Sequence, residues 1–434
     1  MNKKISKAKC ICGEIRVPSD KSISHRAIIL PSLAEGTSIV KNFLDAADTN
    51  TTLNVYRQLG VQIDKKDDLL FVHGVGLKGL KEPEDVLDMG NSGTTTRLTL
   101  GVLAGQNFFA TLTGDSSLRK RPMKRVVNPL SMMGATIDGR KEGEYLPISI
   151  RGNRLRGIEF LNEKASAQVK SAILLAGLNT FRRTTVNEPV MSRDHTERML
   201  KAMGAKIKTE FGEGGYRVHL KGENPLDPID IDVPADPSSA AFFAAAAVLV
   251  PNSEILLKEV LVNPTRDGFF RKLKEMGANI EYLNQREQAG EPVADIHIKY
   301  SPDLKGITVE KQEIPSMIDE VPLLALVATQ AEGETVIRGA QELRVKESDR
   351  IKAVVENLRR IGVDVEELED GFIIKGKQKV KGGKIDSHLD HRIAMGFSIL
   401  GLISEEGIEI KDAQCAEISY PSFYKDLEKL TQYE

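Results

Sequence analysis

Lysine and arginine recur in this chain where local stability alone would not place them. Lys21 and Arg26 lie in PSDKSISHRA, Arg121 in GDSSLRKRPM, Arg193 in SRDHTE, Lys346 and Arg350 in RVKESDR, and Arg392 in LDHRIAMG. Beside them, polar segments run straight into apolar stretches: Ser22; Asn91, Ser92, Gly93 and Thr94; Ser166, Ala167 and Gln168; Asp236, Ser238 and Ser239; Asp390 and His391. Such starts read as helix N-termini, whose unpaired N–H groups and partial positive charge seat phosphate or carboxylate. Ser, Thr and Asp there are also ordinary N-caps, and capping alone accounts for any single one. It does not account for the cations, which oppose the helix dipole unless an anion lies between. A ligand with several anionic groups reconciles both.

Acid and base candidates accompany these cations. Asp319 and Glu320 open a further apolar run, and Glu347 stands between Lys346 and Arg350 in a segment read as a loop entering the helix IKAVVENL. A KESDR run is also what a solvated helix start looks like. The seven histidines show no metal-ligand spacing, RDHTE lacks the HExxH pattern, and neither a P-loop nor a GxGxxG after a strand occurs. No cofactor and no metal are expected. Cys10, Cys12 and Cys415 are too few and too scattered for a zinc site or a disulfide framework, and read as ordinary thiols.

The elements that must position these residues repeat. A small-residue-rich apolar helix of about 13 residues, a polar turn and a strand recur six times, opening near Ser24, Gly93, Ala167, Ser238, Ile318 and Leu389. Between them runs a second element, an amphipathic helix ending in Gly and a strand: VYRQLGVQI, PLSMMGATI, RMLKAMGAKI, FRKLKEMGANI and VVENLRRIGVDV. Gly60, Gly134, Gly204, Gly277 and Gly362 fall where a left-handed C-cap lets the chain reverse. The sixth copy survives only as SFYKDLEKL. The first helix class is apolar nearly all round and the second has a charged face, which predicts helices inside and sheets outside.

At 434 residues the chain exceeds one core, so two domains are expected. GEIRVPSDKSIS and DIDVPADPSSAA echo each other as strand, Val-Pro and a Ser-led helix. They read as two crossings between domains, though ordinary loops would look alike. The expectation is one domain over 20–234 and another over 1–19 plus 235–434. With 60 Lys+Arg against 62 Asp+Glu there is no global field to recruit nucleic acid or a membrane. The N-terminus has no apolar signal region and no long apolar stretch occurs, so a cytoplasmic protein is expected.

PSDKSISHRA, GNSGTTTRL, KRPM, SAQVKSAILLAG, RVKESDR and LDHRIAMGFS, in this order along the whole chain, resemble the 5-enolpyruvylshikimate-3-phosphate synthase family. The resemblance implies an α/β protein, a two-domain inside-out α/β barrel with six β-α-β-α-β-β units, three per domain. It implies transfer of the enolpyruvyl group of phosphoenolpyruvate to the 5-hydroxyl of shikimate-3-phosphate in a cleft between the domains, by a monomer without cofactor. Lys21 would contact both phosphoenolpyruvate and shikimate-3-phosphate and assist proton transfer. Ser22 and Arg26 would hold the shikimate carboxylate, and Ser166, Ala167, Gln168 and Arg193 the shikimate phosphate and ring. Asn91, Gly93, Thr94, Gln168, Arg121, Arg350 and Arg392 would surround phosphoenolpyruvate. Lys346 would join them and reach the acceptor too. Asp319 would accept the 5-hydroxyl proton and Glu347 would protonate the methylene carbon.

Two departures stand out. Ala167 replaces a second serine of many relatives, and Ile418 stands where many carry a lysine before Ser419-Tyr420-Pro421. SAQVK, RDHTE and NPTR resemble the subgroup described as less sensitive to glyphosate, yet Gly93 keeps the small residue associated with inhibitor binding. The nearest rival, a UDP-N-acetylglucosamine enolpyruvyl transferase, would need a reactive cysteine in a mobile loop. A non-catalytic repeat scaffold would not need Asp319, Glu347 and the arginines together.

Overall fold

A computed structural model describes residues 1–212 and 214–433. Its strands form six sheets, five of them sharing one order of four strands. In Glu35–Lys41 a central strand pairs in parallel with Ile231–Asp232 and antiparallel with Leu69–Val75, beyond which lies Gln62–Lys66. The same order recurs around Phe109–Thr113 and around Arg183–Glu188. It recurs again around Glu254–Leu261 and Gly333–Ile337.

The sixth sheet differs from expectation. Ile408–Lys411 pairs in parallel with Gly383–Asp386, as the plan requires, but its antiparallel neighbour is Lys3–Ile5. The chain's own start thus fills the place the truncated last repeat leaves open. An unpaired strand edge would otherwise expose a row of N–H and C=O groups.

The chain divides into two compact units: Met1–Pro18 with Ala235–Arg286 and Pro292–Glu434, and Ser19–Pro234 with Glu287–Glu291. In the first, the apolar helices are Pro237–Leu249, Val321–Ala328 and His391–Gly401; in the second, Lys21–Ser32, Gly93–Ala104 and Ala167–Gly177. These helices carry the core. Every residue of Pro237–Leu249 is buried, because Ala and Phe cover all its faces. Small residues let such helices approach: a Cβ on Gly101 would lie 2.3 Å from the carbonyl oxygen of Ala172 on Ala167–Gly177. Strands bury one face and leave the other to solvent, as in Gly215–Lys221.

The fifth apolar helix is shorter than predicted, starting at Val321 rather than near Ile318. Pro322 sits in its first turn, where its fixed φ is pre-set for a helix start. Asp319 therefore lies just outside the helix and Glu320 at its N-cap. The five C-cap glycines behave as read, with φ between 82° and 116° at Gly60, Gly134, Gly204, Gly277 and Gly362. The amphipathic helices that precede them bury their apolar sides, as Gly268–Glu275 does through Phe269, Phe270 and Leu273, together with a few charged or polar residues such as Lys272.

Candidate active site

In the second unit the helix Lys21–Ser32 begins at Asp20, whose carboxylate accepts from the Ile23 N–H at 2.8 Å. Lys21 is its first residue and extends to Asp48 at 3.1 Å with most of its side chain in solvent. One turn on, Arg26 is only 4% exposed. Its guanidinium donates to Thr196 Oγ1 at 2.8 Å, to Ser171 Oγ at 2.9 Å and to the Ser22 carbonyl at 3.0 Å. All three partners are neutral. Burial pulls its pKa down to about 10, against the pull of Glu197 and Asp20.

The helix Gly93–Ala104 starts at Ser92, whose hydroxyl accepts from the Thr95 N–H. Asn91 precedes it and takes hydrogen bonds from Arg121 on both its side-chain and backbone oxygens. Gln168 donates to Thr94 Oγ1 at 3.0 Å and accepts from Arg97 at 2.6 Å. Arg97, 8% exposed, has its pKa drawn down to about 10 by burial and by the neighbouring Arg125 and Arg121. Gly93 faces these cations: a Cβ there would lie 3.0 Å from one Arg97 nitrogen and 3.5 Å from one of Arg121.

Ser166 is the N-cap of Ala167–Gly177 but makes no side-chain capping bond, unlike Asp20, Ser92, Asp236 and Asp390. Capping explains those four and leaves Ser166 to be explained. Arg193 lies two residues before the helix His195–Ala202, half-buried. Between these two segments sits a buried ion cluster in which Lys170 meets Glu188 at 2.9 Å and Glu197 at 2.8 Å. Burial works against the lysine's charge, but the two carboxylates override it and hold its pKa above the ordinary lysine value.

In the first unit a single arginine organises the charged residues. Arg350, 1% exposed in its side chain, donates from Nε to Asp390 at 2.8 Å and from Nη2 to Glu347 at 2.6 Å. Its Nη1 lies 3.5 Å from Asp319, which Lys346 also approaches at 3.5 Å. Glu347 keeps just over half of its side chain in solvent, whereas Asp319 is mostly covered. Asp390 caps His391–Gly401 by accepting from the Arg392 N–H, and the Arg392 side chain lies 3.5 Å from Glu320. Burial pushes the Glu320 carboxyl up, opposed by Arg392 and reinforced by Asp319. Burial and Arg392 lower His391 to about 4, so its ring is neutral at physiological pH. Ile418 is 71% exposed.

Clusters of His, Cys, Asp and Glu able to hold a metal are absent among the described residues. None of the described helices is long and apolar enough to cross a membrane.

A sequence model of the family described as EPSP synthase (3-phosphoshikimate 1-carboxyvinyltransferase) matches residues 5–427. This chain belongs to the EPSP synthase family. The 3-phosphoshikimate 1-carboxyvinyltransferase of Sulfurihydrogenibium sp. (strain YO3AOP1) is 70% identical over 432 residues, covering 100% of both chains. That of Bacillus subtilis (strain 168) is 49% identical over 430 residues, 99% of each. The solved EPSP synthase of Acinetobacter baumannii superposes with a TM-score of 0.92 at 45% identity, covering 99% of this chain and 98% of that one. The fold is therefore the two-domain inside-out α/β fold of EPSP synthases.

Within this EPSP synthase family member, hydrogen bonds and ion pairs join Gln168 to Thr94 and Arg121 to Asn91 in one unit. In the other they join Asp319, Lys346, Glu347 and Arg350 through shared partners. Ser22 contributes its carbonyl to Arg26, and Ala167 opens its helix with no polar side chain to offer. Sequence reasoning missed Arg97, which holds Gln168. The signal was present: an arginine four residues after Gly93, inside an apolar helix bound for the core, is costly unless it has a task. Arg266, quoted only as the end of NPTR, was given no role; it is buried and pairs with Asp236 at 2.9 Å.

Proposed function

We propose that this chain transfers the enolpyruvyl group of phosphoenolpyruvate to the 5-hydroxyl of shikimate-3-phosphate, releasing phosphate, by addition and elimination through a tetrahedral intermediate. The observation that carries this reading is Arg350 with carboxylates of unlike exposure on either side of it, Asp319 mostly covered and Glu347 largely open. Addition across an enol ether needs a base at the attacking hydroxyl and an acid at carbon. Asp319 takes the proton from the 5-hydroxyl as its oxygen bonds to C2 of phosphoenolpyruvate, and Glu347 delivers a proton to the methylene carbon. Elimination reverses the duties, with Lys21 assisting. Glu347 removes a proton from the new methyl group, and the proton held on Asp319 leaves with the phosphate as the C–O bond breaks.

The anions divide among the cations. Ser22 and Arg26 take the shikimate carboxylate; Ser166, Gln168 and Arg193 take its phosphate and ring, with Ala167 offering backbone only, and Asp319 and Lys346 also reach the acceptor. Asn91, Gly93, Thr94, Arg121, Gln168, Lys346, Arg350 and Arg392 serve phosphoenolpyruvate. Arginine forks neutralise two polyanions without a metal. One chain carries every residue invoked, so we read the working form as a monomer, and we place it in the cytoplasm.

Inorganic phosphate release tests this. It is expected with phosphoenolpyruvate and shikimate-3-phosphate, and not with phosphoenolpyruvate and UDP-N-acetylglucosamine. Release with the nucleotide sugar alone would overturn the assignment. Against that rival stand the cysteines: Cys10 and Cys12 are built into the strand Ala8–Ile15, and Cys415 is buried.

A further inference from the structure

Lys170 and Glu188 have fully buried side chains and Glu197 nearly so, a costly set of charges for a core that apolar residues could fill. The hydrogen bonds show where that cost is spent. Glu188 accepts from Lys170 Nζ at 2.9 Å and from Asn162 Nδ2 at 2.7 Å. It also accepts from the Ser192 N–H at 3.0 Å and hydroxyl at 2.7 Å. Asn162 Nδ2 reaches on to the Ser166 carbonyl at 3.0 Å, and Lys170 Nζ to the Ser192 carbonyl at 3.3 Å. One carboxylate therefore ties down the turn that ends in Ser166 and the loop that carries Arg193. That turn includes Ala165 at φ +46°, a conformation a non-glycine residue holds only when its surroundings impose it.

We propose that Lys170 and Glu188 are positioning residues that set Ser166 and Arg193 to receive the acceptor's phosphate. This rests on the reading above, in which those two residues hold that phosphate. Neither Lys170 nor Glu188 touches the ligand; each acts through Asn162 and Ser192. The acceptor's carboxylate, held by Ser22 and Arg26, and the part of its ring that Gln168 holds are indifferent to them.

The test compares binding of shikimate-3-phosphate and of unphosphorylated shikimate by titration calorimetry, with melting temperature measured alongside. Asn162→Ala cuts one arm, and Ser192→Ala removes the hydroxyl bond of the other while its two backbone bonds stay; both leave the buried charges in place. Each is expected to weaken shikimate-3-phosphate binding by up to about tenfold, the scale of one hydrogen bond, and to leave shikimate within about twofold. Glu188→Gln should weaken it further. If that variant does not fold, the two single-arm variants decide. A structural role alone would lower the melting temperature and leave the ratio of the two affinities unchanged; that outcome in both single-arm variants overturns the proposal. Unaltered protein that binds shikimate-3-phosphate no tighter than shikimate overturns the functional reading and this proposal with it.

Discussion

Asp390 is the buried carboxylate that anchors Arg350, on which the first unit's charged network converges, and replacing it with asparagine is the sharpest test of that network. Its carboxylate accepts from Arg350 Nε at 2.8 Å and Nη2 at 3.3 Å, from Ser348 Oγ at 3.0 Å and from the Arg392 N–H at 2.9 Å. An asparagine keeps one acceptor oxygen, enough for the helix cap, and turns its amide donors toward Arg350. Breaking a buried ion pair from one side costs about 3–5 kcal/mol. Glu347 remains on Nη2 at 2.6 Å, but is half in solvent, so Arg350 keeps part of its compensation and the loss belongs near the lower end, about 3 kcal/mol. The chain has no tryptophan, so far-UV circular dichroism in a urea titration is the readout. The pH dependence has a definite sign. Burial alone would raise the Asp390 carboxyl, but the Arg350 hydrogen bonds and charge override it and leave its pKa below the ordinary value. The stabilisation is complete above the unfolded aspartate pKa of about 3.9 and fades as pH falls through the lower folded value. The gap between the two proteins should therefore be constant near neutrality and close in acid. A loss under about 1 kcal/mol at neutral pH, no more than an exposed pair contributes, would refute the reasoning.

Glu347→Gln should cut turnover by at least about 10²-fold while both substrates still bind, and near-normal turnover would remove Glu347 from the chemistry. Arg97→Met should raise the Michaelis constant of at least one substrate by about tenfold, because Gln168 loses its strongest restraint; unchanged kinetics would make Arg97 a packing residue only. Gly134→Ala meets no close obstacle, the Arg154 carbonyl oxygen being 3.6 Å from the added Cβ, so its cost is that of φ 116° alone. Urea unfolding should show a loss of about 1–2 kcal/mol.

The sixfold plan, the two helix classes and the turns between them were legible from local information. The C-cap glycines were readable because a helix that reverses into a strand needs a positive φ at one defined place. The cations at helix starts were readable because dipole and charge conflict there unless a ligand intervenes. The expectation that they meet an anion needs no tertiary contact.

Other features depend on residues far apart in the chain. Nothing near Lys3–Ile5 signals that it completes the sixth sheet, since Ile408–Lys411 is its partner. Arg97 is marked by its place in an apolar helix, but what it holds shows only when Gln168 is seen to accept from it. Lys170 looks like the polar side of SAQVK, yet its side chain is wholly buried, because Glu188 and Glu197 from two later segments arrive to compensate it. Residue type and spacing by themselves determined that this protein builds six like units and handles polyanions. Which buried charges it keeps, and which groups they hold in place, only the tertiary structure decided, because the cost of a buried charge is set by the partners that long-range packing brings to it.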